Sequence, residues 1–153
     1  MDLLPYLKSK ADTMVTEAST GVIRAHLRHY DAAGMEKTRE RLQSLFERLV
    51  ECIERRSLQP IVGYSQMIAE ERYTAGFDLS EVQAAYNVLE EVVWRSILHE
   101  FPPSDFAEAI GLVSTVLGGG KDALARTYVS LATKTRAPSL DMRALFAGTG
   151  AGA

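Results

Sequence analysis

Gly76-Phe77-Asp78-Leu79-Ser80-Glu81-Val82 decides how this chain folds. The stretch reads as the end of one helix and the start of the next, with almost nothing between. Gly76 suits the left-handed residue that closes a helix, because it has no Cβ to clash there. Asp78 suits the N-cap, and Glu81 three residues on completes the capping-box pattern, each side chain reaching the other's backbone N–H. Phe77 and Val82 then stand as the hydrophobic staple, one just outside the cap and one at the fourth helical position. A short, rigid helix–helix corner is the expectation.

Outward from the corner the apolar residues recur every three or four positions, and no convincing period of two appears. Upstream, Pro60 fits the first turn of a helix covering about 61–75, where its missing N–H would have no partner. Before it, Leu42, Leu45, Phe46, Leu49 and Ile53 mark the inner face of a helix over 35–56. Glu36, Lys37, Arg39, Glu40, Arg41, Glu47 and Arg48 mark its solvated face. The first segment, about 3–30, carries Leu4, Leu7, Ala11, Met14, Val15, Ala18 and Val22 on one stripe, with Gly21 a candidate bend. Downstream, Leu79, Val82, Tyr86, Leu89, Val93 and Ile97 run to Phe101, widened by Val88, Val92 and Trp94, so this helix is expected to be the most buried. Pro102 and Pro103 stop it. A fifth helix holds phase from Phe106 to Leu131 through Gly118, Gly119 and Gly120. The expected fold is all-α: a five-helix bundle with no β-sheet, occupying 1–136, followed by a flexible tail or the start of a linker over 137–153.

Composition narrows the function classes. The 153 residues are 46% hydrophobic and 24% charged, an ordinary globular balance, and the net charge is −3. No basic stripe suggests nucleic acid, and no apolar run approaches the roughly 20 residues of a membrane span. The N-terminus lacks the marks of a secretory signal, and the single cysteine, Cys52, allows no intrachain disulfide and no Cys-based zinc site. A cytoplasmic protein is expected.

The run from Ile68 to Leu89, IAEERYTAGFDLSEVQAAYNVL, leading on to Trp94, resembles the N-terminal domain of the RsbR/RsbRD stressosome co-antagonists. The resembling features are an Arg at a helix end (Arg72), the Gly76 corner, and a following helix with aromatic and leucine positions. The Leu4-Pro5-Tyr6-Leu7 opening is similar in style, and the resemblance spans roughly 3–101. It implies an all-α domain, globin-like in some members but without haem, that dimerises and modulates a protein partner; some such sensors hold apolar ligands. The motif is structural and carries no catalytic residues. Larger members continue into a STAS or other output domain, and Lys134 to Ala153 is too short to be one. The output half is therefore expected elsewhere, beyond this sequence or on another chain.

Several residues suit a site as well as a structural role. Tyr64, Tyr86, Trp94 and Tyr128 could line a ligand pocket between helices, although aromatics at helical spacing are more often core. Gly118, Gly119 and Gly120 are followed by Lys121, but the phosphate-loop pattern needs a glycine where Thr115 stands and Ser or Thr where Asp122 stands. Three glycines inside a helix favour close packing instead, with a dimer interface as the candidate. His26 and His29 share a metal-compatible spacing, opposed by the neighbouring Arg24 and Arg28. His99, beside Glu100 and Pro102 at a helix end, is poorly placed as an axial haem ligand. Glu70 with Glu71, and Glu90 with Glu91, diverge by about 100° on a helix and cannot share a substrate. Cys52 falls by the inward stripe and suits a small buried hydrophobe.

These residues predict no enzyme, no cofactor and no metal. The expected function is a sensory or regulatory module, homodimeric, coupled to a regulatory partner or output domain, with a small apolar ligand as one signal. A haem or metal sensor and an enzyme whose site assembles only in the fold are the alternatives.

Overall fold

The computed structural model describes residues 2–136, with the side chains of 135 and 136 left aside. The expectation for 137–153 lies outside the described residues. Six α-helices follow one another: α1 (Leu3–Arg24), α2 (Arg28–Ala33), α3 (Met35–Arg55), α4 (Gln59–Thr74), α5 (Leu79–Glu100) and α6 (Phe106–Arg136). A 3-10 turn at Pro103–Asp105 precedes α6, and no strand occurs among the described residues.

Six helices replace the expected five because the first segment divides. Gly21 stays helical; the break falls at 25–27, where His26 takes a left-handed φ of 51°. Gly21 serves another purpose. A Cβ there would come within 2.8 Å of Val88 Cγ1, so its absence lets α1 lie close on α5.

One core runs through all the helices. α1 packs on α3 and α5, α4 packs on α3, and α6 lies across α4, α5 and α3. Leu7, Val15, Val22, Leu49, Ile61, Val82, Leu89, Val93, Leu117 and Leu124 are fully shielded from solvent. Burying each such side chain is worth about 1.5–3 kcal/mol, and this gain holds the bundle together against chain entropy. Tyr6 ties the start of α1 to the end of α5, with its ring edge-on to Phe101 at 5.0 Å and its hydroxyl against the Ser96 hydroxyl.

The 31-residue α6 is continuous through its three glycines and about 46 Å long at 1.5 Å per residue. Gly120 explains how it fits. A Cβ there would meet Tyr86 Cε2 at 2.8 Å and Ile61 Cγ1 at 3.0 Å, so only glycine lets α6 settle between α4 and α5.

Candidate functional site

The corner between α4 and α5 forms as its residue types demand. Gly76 has φ +87°, the Phe77 N–H donates to the Arg72 carbonyl at 2.9 Å, and the Gly76 N–H donates to the Tyr73 carbonyl at 3.1 Å. These two bonds are the Schellman closure of α4. Asp78 and Glu81 stand as a capping box on α5, with the Glu81 carboxylate accepting the Asp78 N–H at 3.0 Å. Phe77 and Val82, the staple pair, are both buried.

Glu81 does more than cap its own helix. Its side chain also accepts the His29 backbone N–H at 2.9 Å and faces His29 Nδ1 at 2.8 Å. A carboxylate can only accept, so Nδ1 carries the hydrogen in that bond. Burial alone would raise the Glu81 pKa. The donors from His29 and Asp78 outweigh burial and hold it below the ordinary 4.5. Glu81 therefore stitches the first turn of α2 to the first turn of α5.

Above this stitch lies the Phe77 ring, crowded by two rings and two guanidiniums. His29 stacks on it at 4.6 Å, Tyr30 meets it edge-on at 5.4 Å, and the guanidinium carbons of Arg41 and Arg72 lie 5.3 and 5.6 Å from its centre. Arg41 also sits 5.6 Å over the Tyr30 ring. Such cation–π contacts are worth roughly 0.5–2 kcal/mol each, rising as water is excluded.

Arg72 is only 3% exposed, which is unusual for arginine. One of its terminal nitrogens meets Glu71 at 2.8 Å, and it hydrogen-bonds the Tyr30 hydroxyl. Its Nε has no hydrogen-bond partner, and neither do Nε and Nη1 of Arg41, although all three atoms are buried. Burial, and then the charge on Arg72, lowers the Arg41 pKa.

The two guanidiniums border a cavity with Tyr30, Tyr64, Ile68 and Tyr86, leaving about 10 Å³ for the centre of a water-sized molecule. That is room for one such molecule. Burial raises the pKa of Tyr30, Tyr64 and Tyr86, in each case against the nearby charge of Arg72, so all three remain phenols at neutral pH. The Tyr86 hydroxyl pairs with Ser65 Oγ at 2.7 Å. The arrangement can hold a polar or anionic guest. It offers no nucleophile and no base among these lining groups.

The tyrosines singled out in the sequence separate here. Tyr64 and Tyr86 border the cavity. Tyr128 does not border it; its hydroxyl donates to the Phe77 carbonyl at 3.0 Å and its pKa is pushed up to about 12 by burial. Trp94 lies away at the surface of α5, 37% exposed, one turn from the half-exposed Leu98. Gly118 has open space where a Cβ would stand, Gly119 faces only the Leu58 side chain at 3.4 Å, and Gly120 is filled by its own chain.

The histidines do not converge. His26 is exposed and 3.4 Å from Asp31, His29 is engaged with Glu81 and Phe77, and His99 is exposed at the end of α5. Among the described residues no group of three His, Cys, Asp or Glu side chains could hold a metal. Cys52 is buried, and that burial raises its thiol pKa. A wide groove of about 400 Å³ between α1 and α3 is lined by Lys8, Arg48, Glu51 and Glu54. These charges are engaged with one another, Lys8 with Glu54 at 2.6 Å and Arg48 with Glu51 at 3.3 Å.

Arg41 and Arg72 escaped the sequence reading as site residues. Helix phase puts Arg41 on the solvated face of its helix, and the structure turns it inward. The available signal was phase: Arg72 falls eleven residues after Ile61 and four after Ile68, squarely on the buried stripe of α4.

No helix of the described residues is long and apolar enough to cross a membrane. Comparison with curated proteins and with solved structures finds no match. The family model described as the RsbT co-antagonist protein rsbRD N-terminal domain matches residues 11–148, including the corner, both arginines and all of α6. Its members are regulatory co-antagonist domains of a stress-response system rather than a known class of enzyme. The chain belongs to this family of rsbRD-type RsbT co-antagonist N-terminal domains.

Proposed function

We propose that this chain is a non-enzymatic, cytoplasmic sensory domain that works as a homodimer and signals through a regulatory protein partner or output domain. The observation that carries this reading is the family match over residues 11–148, whose description names RsbT as the protein co-antagonised. By that analogy the chain helps to restrain a partner of the RsbT kind until a signal changes its helix packing. A globin-like arrangement without haem belongs to the same reading, supported by the all-helical bundle around a single core.

Trp94 and Leu98, exposed one turn apart on α5, support protein contact. Gly118 offers a second smooth surface for a partner helix, whereas Gly119 lies against Leu58 and Gly120 is taken up inside the fold. A small ligand remains part of the proposal. The water-sized space bordered by two guanidiniums favours a polar occupant over an apolar one.

Light scattering across micromolar concentrations tests the assembly. The expected mass is twice the 16.8 kDa of one chain, and a monomer throughout would overturn the homodimer. Gly118→Leu, where the chain itself leaves open space, is expected to dissociate it; an unchanged mass would remove this face of α6 from the interface.

A further inference from the structure

The geometry points to an anion site: the cavity between Arg41 and Arg72 binds one halide-sized anion, with Tyr30 and Tyr64 completing its walls. Three observations meet there. Arg72 is almost wholly buried, and its Nε lacks a partner. Arg41 borders the same space, and two of its N–H groups, Nε and Nη1, are likewise buried without a hydrogen-bond partner. The space itself, about 10 Å³ for the centre of a water-sized guest, admits a single small particle and not a tetrahedral oxyanion.

Charge selects the guest. A guanidinium keeps its proton in proteins and donates only, so two of them at one cavity call for an acceptor with negative charge. The carboxylates nearby do not meet that demand. Glu71 touches Arg72 from the exposed side, with 61% of its side chain in solvent. Glu81 is already committed to the Asp78 and His29 donors. A water would satisfy hydrogen bonds, since the phenols accept as well as donate, but it would bring no negative charge to two guanidiniums whose one carboxylate contact is the exposed Glu71 on Arg72.

The site lies within one chain, so its test is independent of the dimer. The protein is exchanged into sodium gluconate and titrated with chloride at constant ionic strength. Chlorine NMR line width serves as the direct readout and Tm as the linked one. Saturable broadening is expected, with a rise of roughly 5 °C in Tm at saturation. Arg41→Met is expected to weaken binding by about tenfold or more, corresponding to loss of one charge-assisted contact. Tyr64→Phe should give a smaller loss and Lys8→Gln, in the surface groove, none. Arg72→Met is the stronger variant where it folds; Arg41, less buried, keeps the test decisive where it does not. In crystals grown with bromide, an anomalous peak is expected between the two guanidiniums.

No saturable broadening in the native protein would overturn the site. So would broadening undiminished in Arg41→Met, phosphate or sulfate outcompeting chloride, or a cavity holding only water in bromide.

Discussion

Two sets of buried charge flank the Phe77 ring, and the fold treats them in opposite ways. On one side Glu81 gathers hydrogen bonds from two elements and faces a histidine ring. On the other, Arg41 and Arg72 keep three buried N–H groups without an acceptor. The Glu81 side is a finished joint, in which the charge is offset by donors built into helix ends. The arginine side keeps its donors unmatched, which is where the proposed anion would sit. The difference separates charge matched by the fold from charge left unmatched, around one aromatic ring.

The largest effect expected comes from removing what both sides share. Phe77→Ala deletes the ring beneath His29, Tyr30, Arg41 and Arg72 and should cost about 3–5 kcal/mol of stability. Urea unfolding measures it; a cost below about 1 kcal/mol would mean that the two sides do not lean on a common support.

Next comes Glu81→Gln, with an expected cost of about 1–3 kcal/mol at neutral pH from the lost charge-assisted bonds. Its pH dependence sharpens the contrast. The folded-state pKa of Glu81 is depressed, so its stabilisation is present above about 4.5 and is lost as pH falls through the lower folded value. The native protein and the variant should therefore converge in stability as acid is added. A gap that stays constant with pH would show that the glutamine loses packing rather than charge.

Arg41→Met should change stability by only about 1 kcal/mol or less in halide-free buffer, in either direction, because it removes unsatisfied donors along with the cation. A loss as large as that of Glu81→Gln would make the arginine side structural and erase the distinction. The smallest effect lies away from the corner. Gly118→Ala has free space and should stabilise α6 by about 0.5–1 kcal/mol in thermal unfolding. Destabilisation or a changed mass would place that face against a partner.

The corner was legible in the sequence because each of its residues answers a local demand. Gly76, Asp78 and Glu81 each satisfy a backbone requirement that neighbours in sequence create. Helix phase likewise placed most of the core. The break after α1 was not legible, since Ala25, His26 and Leu27 carry no turn signal, and His26 adopts a conformation that few side chains favour. Gly21 looked like the breaker because a glycine placed for close approach reads the same as one placed for a bend. The arginine cluster failed for a related reason. Charged residues on amphipathic helices normally face water, and only three-dimensional packing shows which two have been turned inward. Gly120 illustrates the middle ground: its need for a close neighbour was readable, but the neighbour's identity, Tyr86 of the same chain, was not.

The back-to-back closure of α4 and α5 has a consequence in time as well as in shape. The amides of Gly76, Phe77, Asp78, Glu81 and Val82 all have acceptors, so this chain reversal contains little slack. Its hydrogens should exchange with solvent as slowly as those inside the helices, and only when a whole segment opens. A protease searching for a loop would find no ready cleavage point there. The turn that most resembles a connection in the sequence thus behaves, on the time scale of exchange, as part of the interior.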